Sequence, residues 1–276
     1  MNTANLFVYS SSELFLLKNN TLPRAIPAEF EALKADEFTY PSLSGHSTVV
    51  TLKRTPDTPA PFHDGGYWAP LRSVLGSTEP ALALLAAPAC RALGLANWHG
   101  DTRFCPRCGG ALRDHGRETA RYCQECDNLL FPRLSPAIIV LVRKGSEILL
   151  ARHAARNTGT WACIAGYLEH GESLEECVAR EVKEETGLTV GNIRYAGSQS
   201  WPFPDQFMVA FFAEWVSGDI VPDPSEIAEA RWFGADSLPA IPPPGTVAWG
   251  LINAALHGRE NPDRTESERF VLTPRP

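Results

Sequence analysis

The stretch Gly166–Leu188, GYLEHGESLEECVAREVKEETGL, constrains this chain more than any other part of it. Ser173 and Glu176 have the S-x-x-E spacing of a capping box, which starts a helix, and Gly187 supplies a stop. With side chains placed at about 100° per residue, Leu174, Cys177, Val178 and Val182 gather on one side. Glu175, Glu176, Ala179, Lys183 and Thr186 gather opposite, on the expected solvent face. Glu181, Glu184 and Glu185 do not join that face but fall in line with Leu174, Cys177 and Val178. The stripe facing the protein therefore turns from apolar to acidic in its second half. Carboxylates at i, i+3 and i+4 repel one another, and burial raises the cost. Hard divalent cations relieve both penalties, so Glu181, Glu184 and Glu185 are candidate ligands for Mg²⁺ or Mn²⁺. A merely solvated acidic helix end is disfavoured by the wheel. Arg180 lies beside the cluster, where it could hold a carboxylate through a bidentate pair.

A second constraint comes from four of the seven cysteines. Cys105-Pro-Arg-Cys108 and Cys123-Gln-Glu-Cys126 are two CxxC pairs separated by fourteen residues. Two such knuckles offer four thiolates, enough for a closed tetrahedral Zn²⁺ site. A closed site leaves no position for water, so this zinc is expected to be structural. Gly109-Gly110 suits the tight turn after the first knuckle. A redox CxxC is the alternative, but two copies without a thioredoxin-like context favour metal. Cys90, Cys163 and Cys177 stand alone in apolar surroundings and read as small buried hydrophobes. An odd cysteine count argues against a secreted disulfide framework.

The remaining composition bounds the setting. The chain has 276 residues, 44% of them hydrophobic, enough for two domains with sizeable cores. A net charge of −7 provides no basic stripe for a nucleic-acid backbone. Met1–Asn5 carries no basic side chain and Glu13 interrupts the apolar stretch that follows, so no signal peptide is expected. Apolar runs such as Ala137–Val142 are far too short to span a membrane, and the default is a soluble cytoplasmic protein. Leu6–Tyr9, Leu14–Leu17 and Val49–Leu52 read as strands, and Ala81–Leu95 as a helix that Pro88 would interrupt. Ala137–Val142 and Glu147–Ala151 read as strands around a turn at Lys144-Gly145-Ser146, and Phe207–Trp215 as a buried strand. The chain breaks at Ile241–Gly245, and a last helix runs to about His257. The polar, Pro-containing end reads as loosely held. The domain boundaries expected are 1–100 for an N-terminal α+β domain, 101–132 for the ribbon, 133–262 for the catalytic domain and 263–276 for a tail.

Gly166, Glu172, Arg180, Glu181, Val182, Glu184, Glu185, Gly187 and Leu188 match every fixed position of the Nudix box, Gx5Ex7REUxEExGU with U aliphatic. The chain thus resembles the Nudix hydrolases. The resemblance implies an α/β fold, a Nudix α/β/α sandwich, here preceded by the ribbon and the N-terminal α+β domain. It further implies hydrolysis of a nucleoside diphosphate linked to another group. Glu181 and Glu185 match the principal box ligands and Glu184 a further ligand or base, while Glu172 and Arg180 look architectural.

Ser198-Gln-Ser-Trp-Pro-Phe-Pro204 resembles the SQPWPFPxS signature of the NADH pyrophosphatase (NudC) family, whose members also carry a four-cysteine ribbon before the Nudix domain. The likeness covers residues 105 to 250 well, including Pro242–Ala248, and the first hundred residues loosely. It implies that Glu226 is a further metal-binding glutamate. It places Phe131, Ala165, Tyr167, Gln199 and Ala248 at substrate-contacting positions. The specificity loop would comprise Ser200, Trp201, Pro202, Phe203, Pro204, Asp205 and Gln206. Ser200 replaces the first Pro of the signature, and Gln206 stands where its final Ser is expected; both touch strict NADH preference. Tyr167 is usually Phe in the family, and either ring can stack on a purine. No GxGxxG follows a strand, so NAD would be substrate rather than redox cofactor. The implied reaction cleaves NAD(H) to AMP and nicotinamide mononucleotide, with removal of NAD caps from RNA a further activity of the family and a homodimer its common form. Two other readings stay open: a Nudix hydrolase for ADP-ribose or a dinucleoside polyphosphate, and a non-enzymatic zinc-ribbon adaptor, against which the intact box argues.

Overall fold

The computed structural model describes residues 5–42, 45–53, 61, 63–155 and 159–257. The expected tail, 263–276, lies outside them. The chain divides into two compact units. The first comprises Met1–Leu75, Glu79–Leu134 and Ser200–Asp205, and the second Gly76–Thr78, Ser135–Gln199 and Gln206–Pro276.

The first unit is built on β1 (Asn5–Ser10), β2 (Glu13–Leu17), β3 (Lys34–Ser42), β4 (Gly45–Leu52) and β5 (Gly66–Pro70), in the order β3-β4-β1-β2-β5. Only β1 and β4 run parallel. Alternate residues of a strand point to opposite faces, and here both faces are covered. Phe7, Tyr9, Leu14 and Leu16 pack with Ala86, Ala89 and Leu93 of α3 (Pro80–Asp101) and with α2 (Leu71–Leu75). Leu6, Val8 and Phe15 pack on Phe30 of the short α1 (Ala28–Glu31). The Tyr9 hydroxyl donates to the Ala89 carbonyl at 2.7 Å. Glu79 caps α3 by accepting from the Leu82 N–H, and Pro80 opens it. The helix continues through Pro88, contrary to the expected interruption. A proline frees the carbonyl four residues earlier, here that of Leu84, and Leu84 is 76% exposed, so water can satisfy it. Among the described residues α3 is also the one helix whose length and composition would let it cross a membrane. One side of it is buried against the sheet.

The cysteine segment forms a three-stranded sheet of β6 (Leu112–Asp114), β7 (Arg121–Cys123) and β8 (Leu129–Leu130). His99 of α3 ties it to the N-terminal sheet. Its Nδ1 lies 2.6 Å from Asp36 and its Nε2 2.9 Å from Asp114, with the ring stacked on Phe38 at 4.2 Å.

The second unit is an α/β sandwich. Its strands are β9 (Ser135–Lys144), β10 (Glu147–His153), β11 (Ile164–Tyr167), β12 (Thr189–Trp201), β13 (Gln206–Ser217) and β14 (Ile227–Phe233). The order is β12-β13-β9-β10-β14, with β11 pairing on β9. Every residue from Ala137 to Val142 is buried, because helices cover both faces of β9. Ile138, Val140 and Val142 meet Cys177, Val178 and Val182 of α4 (Leu174–Thr186). The helix α5 (Val247–Leu256) packs on β9 and β13 as well. The β9–β10 turn holds Gly145 at φ 62°, a left-handed conformation suited to glycine.

Candidate active site and metal centre

The helix α4 begins and ends as its sequence dictates. Ser173 Oγ accepts from the Glu176 N–H while the Glu176 carboxylate accepts from the Ser173 N–H, a complete capping box. Gly187 closes the helix at φ 76°. Glu181 and Glu185 are buried, at 9% and 5% exposure, among the apolar residues of the inward stripe. Two wheel assignments need correction. Glu184 does not share that burial, its side chain being 60% exposed; it sits about 100° round the helix from Glu185, at the edge of the stripe. Thr186, expected on the solvent face, is fully buried. The chain after β13 passes over this helix end, with Val221 N–H donating to the Thr186 carbonyl at 2.8 Å and Asp223 N–H to that of Glu185 at 3.0 Å.

Arg180 organises the acids. Its Nε and Nη2 donate to the two oxygens of Glu172, at 2.9 and 2.6 Å. Its Nη1 reaches Glu181 at 2.9 Å and Glu184 at 3.1 Å, and Nη2 also donates to the Tyr167 carbonyl at 3.0 Å. The guanidinium, helped by the Glu169 N–H, holds the Glu172 carboxyl down to about 2. Burial pushes the Glu181 carboxyl up despite Arg180. Glu185 has no such counter-charge. Burial first, then Glu181, Glu226, Asp223 and Glu184, push its carboxyl up to about 8. A buried carboxyl amid four other carboxylates is what a divalent cation would relieve. Glu226, in the turn before β14, is exposed. Asp223, which the sequence reading passed over, adds to the field on Glu185; the D-P-S-E spacing around Glu226 was its only signal.

Gly166, on β11, lies directly under Glu181. A Cβ there would fall 1.9 Å from the Glu181 carboxyl carbon. Its neighbours Ala165 and Tyr167 are exposed. The Tyr167 hydroxyl accepts from Gln206 Nε2 at 2.5 Å. Gln199 is buried, and both ends of its amide are engaged: Nε2 donates to the Gly245 carbonyl at 2.7 Å, and Oε1 accepts from the Val247 N–H at 2.9 Å. It thereby anchors the start of α5, where Ala248 is buried. These residues all lie in the second unit.

Phe131 and the segment Ser200–Asp205 belong to the first unit. Phe131 is 58% exposed. The rings of Trp201 and Phe203 pack on the N-terminal core, and the Asp205 carboxylate accepts from Arg133 Nε and Nη2 at 3.0 and 2.8 Å. Pro202 is buried, while Ser200 and Pro204 are exposed.

The four paired cysteines converge, every sulfur lying within 4.8 Å of the others. Cys105 and Cys126 are 3.6 Å apart and Cys108 and Cys123 3.4 Å. Those separations are far beyond a disulfide bond and close to the ~3.8 Å edge of a tetrahedron of thiolates around zinc. Burial acts to raise the Cys105 thiol, but the N–H groups of Arg107 and Cys108 and the neighbouring side chains bring it down to about 6. Gly109 turns the knuckle at φ 77°. The cluster can hold a metal ion. It is the only group of three or more metal-binding side chains among the described residues with ligand atoms drawn this close. Cys90, Cys163 and Cys177 are buried.

The NUDIX domain model matches residues 132–250. Three relatives match nearly the whole chain, and all are named NAD-capped RNA hydrolase NudC. That of Salmonella typhi is 47% identical over 246 residues, 89% of this chain and 91% of the relative. That of Chromobacterium violaceum is 41% identical over 245 residues, 89% of each. That of Vibrio vulnificus is 40% identical over 249 residues, 90% of this chain and 91% of the relative. With a complete Nudix box on α4, a four-cysteine cluster ahead of it and similarity along nine-tenths of both chains, this protein belongs to the NudC family of Nudix hydrolases.

Proposed function

We propose that this chain hydrolyses the diphosphate bridge of NAD(H), and of NAD joined to the 5′ end of RNA, releasing nicotinamide mononucleotide. Free NAD(H) would give AMP as the other product. The observation that carries the reading is the pair of buried glutamates, Glu181 and Glu185, within an intact box, in a chain similar over nine-tenths of its length to NAD-capped RNA hydrolases. The catalytic unit would span residues 133–262, after the ribbon at 101–132.

Glu181, Glu184, Glu185 and Glu226 would hold Mg²⁺ or Mn²⁺, and the donor set fits: hard oxygens, two of them buried and mutually repelling. Such ions supply charge neutralisation for the two phosphates. The protein's part is positioning. Arg180 fixes Glu181 and one oxygen of Glu184. A carboxylate of Glu184 or Glu185 accepts the proton of the attacking water, and water adds across one P–O bond of the bridge. Tyr167 offers an exposed ring for a base, with Ala165 beside it on β11. Gln199 and Ala248 shape the start of α5. Phe131 and the specificity loop Ser200–Gln206 complete the proposed substrate contacts.

Cys105, Cys108, Cys123 and Cys126 would hold one structural Zn²⁺. The working form is taken as a cytoplasmic homodimer, in which the exposed side chain of Leu134 would be covered; sedimentation equilibrium tests this. For the activity, the test is product analysis from NADH, NAD⁺ and NAD-capped RNA with Mg²⁺ or Mn²⁺. Equal amounts of nicotinamide mononucleotide (in its reduced form when the substrate is NADH) and AMP from the free dinucleotides, and a 5′-monophosphate RNA from the capped one, are expected. Release of free nicotinamide instead would place the cleavage at the glycosidic bond and refute the reading.

A further inference from the structure

We propose that Asn97 and Arg72, on α3 and α2, are positioning residues for substrate binding: they hold the segment Trp201–Pro204 in shape. This rests on the reading of that segment as part of the dinucleotide site. It also gives the N-terminal sheet and its helices a part in specificity.

The need for outside support follows from composition. In Trp-Pro-Phe-Pro two of four residues lack an N–H, so the segment has two backbone donors. One of them, Phe203 N–H, is spent on the Trp201 carbonyl at 2.8 Å. Beyond Trp201, the last residue of β12, a ladder on a neighbouring strand is therefore out of reach, and the carbonyls there need side-chain or solvent donors. Asn97 supplies them. Its Nδ2 donates to the Pro202 carbonyl at 3.2 Å and the Pro204 carbonyl at 2.9 Å, so one amide fixes both prolines. Three residues earlier on the same helix, Gly94 lies beside Pro202, so that a Cβ there would meet the proline Cβ at an ordinary contact distance of 3.6 Å.

Arg72 secures the aromatic side chains. Its guanidinium carbon lies 4.5 Å from the Phe203 ring centroid and 5.1 Å from that of Trp201. The two rings meet edge-on at 4.9 Å. A cation serving two rings fixes their relative tilt, and the rings also pack on the core that contains α3. The segment runs from the last residue of β12 toward β13 in the chain, yet its contacts are those of the first unit. Its shape is thus set by residues more than a hundred positions earlier in the sequence.

The test uses the full chain and NADH. Asn97→Leu keeps the volume and removes both donors, while Arg72→Met removes the cation from an exposed side chain. Each is expected to raise KM about tenfold with kcat within about twofold of the parent, as lost hydrogen bonds and ring contacts that act on binding do. Arg72→Lys, which keeps the cation, should return KM most of the way. A merely structural role would lower the active fraction, and hence the apparent kcat, with KM unchanged. Phe203→Ala, the segment variant, should raise KM by itself, and adding Asn97→Leu to it should change KM by less than twofold further. If Phe203→Ala raises KM but Asn97→Leu and Arg72→Met do not, the positioning inference is overturned and the segment keeps its assignment. Full additivity in the double variant overturns it as well. If Phe203→Ala leaves KM at the parent value, the assignment of the segment falls first, and this inference with it. Should Asn97→Leu fail to fold, the Arg72→Met and Arg72→Lys pair decides alone.

Discussion

Gly166 leaves the space that the Glu181 carboxylate occupies: a Cβ on Gly166 would lie 1.9 Å from the Glu181 carboxyl carbon and 2.1 Å from its nearer oxygen, so one of the two would have to move. The φ of Gly166 is not left-handed, so the demand for glycine here is steric and not conformational. Gly166→Ala is expected to displace the Glu181 carboxylate and break its bond to Arg180. Turnover should fall tenfold or more, and stability by about 1–3 kcal/mol, the usual cost of overpacking. Steady-state kinetics and thermal melts check both, and an unchanged kcat would show that Glu181 need not sit over β11.

Glu185 carries the pH dependence. Its folded carboxyl value, about 8, exceeds the ordinary 4.5 because of burial and the surrounding acids. A raised value means that the folded state binds the proton more tightly. The contribution to stability is therefore full below the ordinary value and fades as pH rises through that window. Metal-free protein should accordingly lose melting temperature between about pH 5 and about pH 9, and Glu185→Gln should flatten the loss. Binding of Mg²⁺ in weak buffer near pH 7 should release about one proton per chain. Turnover of Glu185→Gln should drop about a hundredfold with the fold intact. Glu175→Gln, on the exposed side of α4, should leave it unchanged.

The cysteine cluster is expected to be structural. Cys123 is fully buried, and Cys123→Ser should lower the yield of folded protein and its melting temperature together. The kcat of the surviving folded fraction should stay near the parent's. Metal analysis of protein purified without chelator should give one zinc per chain, and a zinc-free, fully stable protein would remove the assignment.

Tyr167 separates ring from hydroxyl. Tyr167→Phe removes the acceptor of the Gln206 bond and keeps the ring, so KM for NADH should change by less than about threefold. Tyr167→Ala removes the ring, and base stacking worth about 1–3 kcal/mol predicts a KM increase of roughly tenfold or more. Equal effects of the two variants would assign the role to the hydroxyl.

Legibility in the sequence followed locality. The capping box, the glycine stop and the buried pair Glu181 and Glu185 could be read from α4 because helical periodicity places side chains without further information. The CxxC pairs were legible because the spacing within each knuckle is itself local. What escaped depended on distant chain. Thr186 is buried only because residues after β13 cross over it. Gln199, in a signature read for substrate contact, spends both amide ends on the backbone that starts α5. The edge strand β3 was missed because KADEFTYPS has apolar alternation only at Phe38 and Tyr40, its first half being polar and its outer flank facing solvent. Asn97 and Arg72 carry no motif, and only the folded chain brings them to Trp201–Pro204.

The central claim is that this fold cleaves the diphosphate of NAD(H) at the α4 glutamates. The most direct test compares kcat/KM for NADH, NAD⁺ and ADP-ribose side by side in the parent and in Glu185→Gln. The expected result is that NADH or NAD⁺ is the best of the three, gives AMP and nicotinamide mononucleotide (reduced from NADH, oxidised from NAD⁺), and loses about a hundredfold in the variant. ADP-ribose as the best substrate by a wide margin, or parental turnover in a folded Glu185→Gln protein, would contradict it.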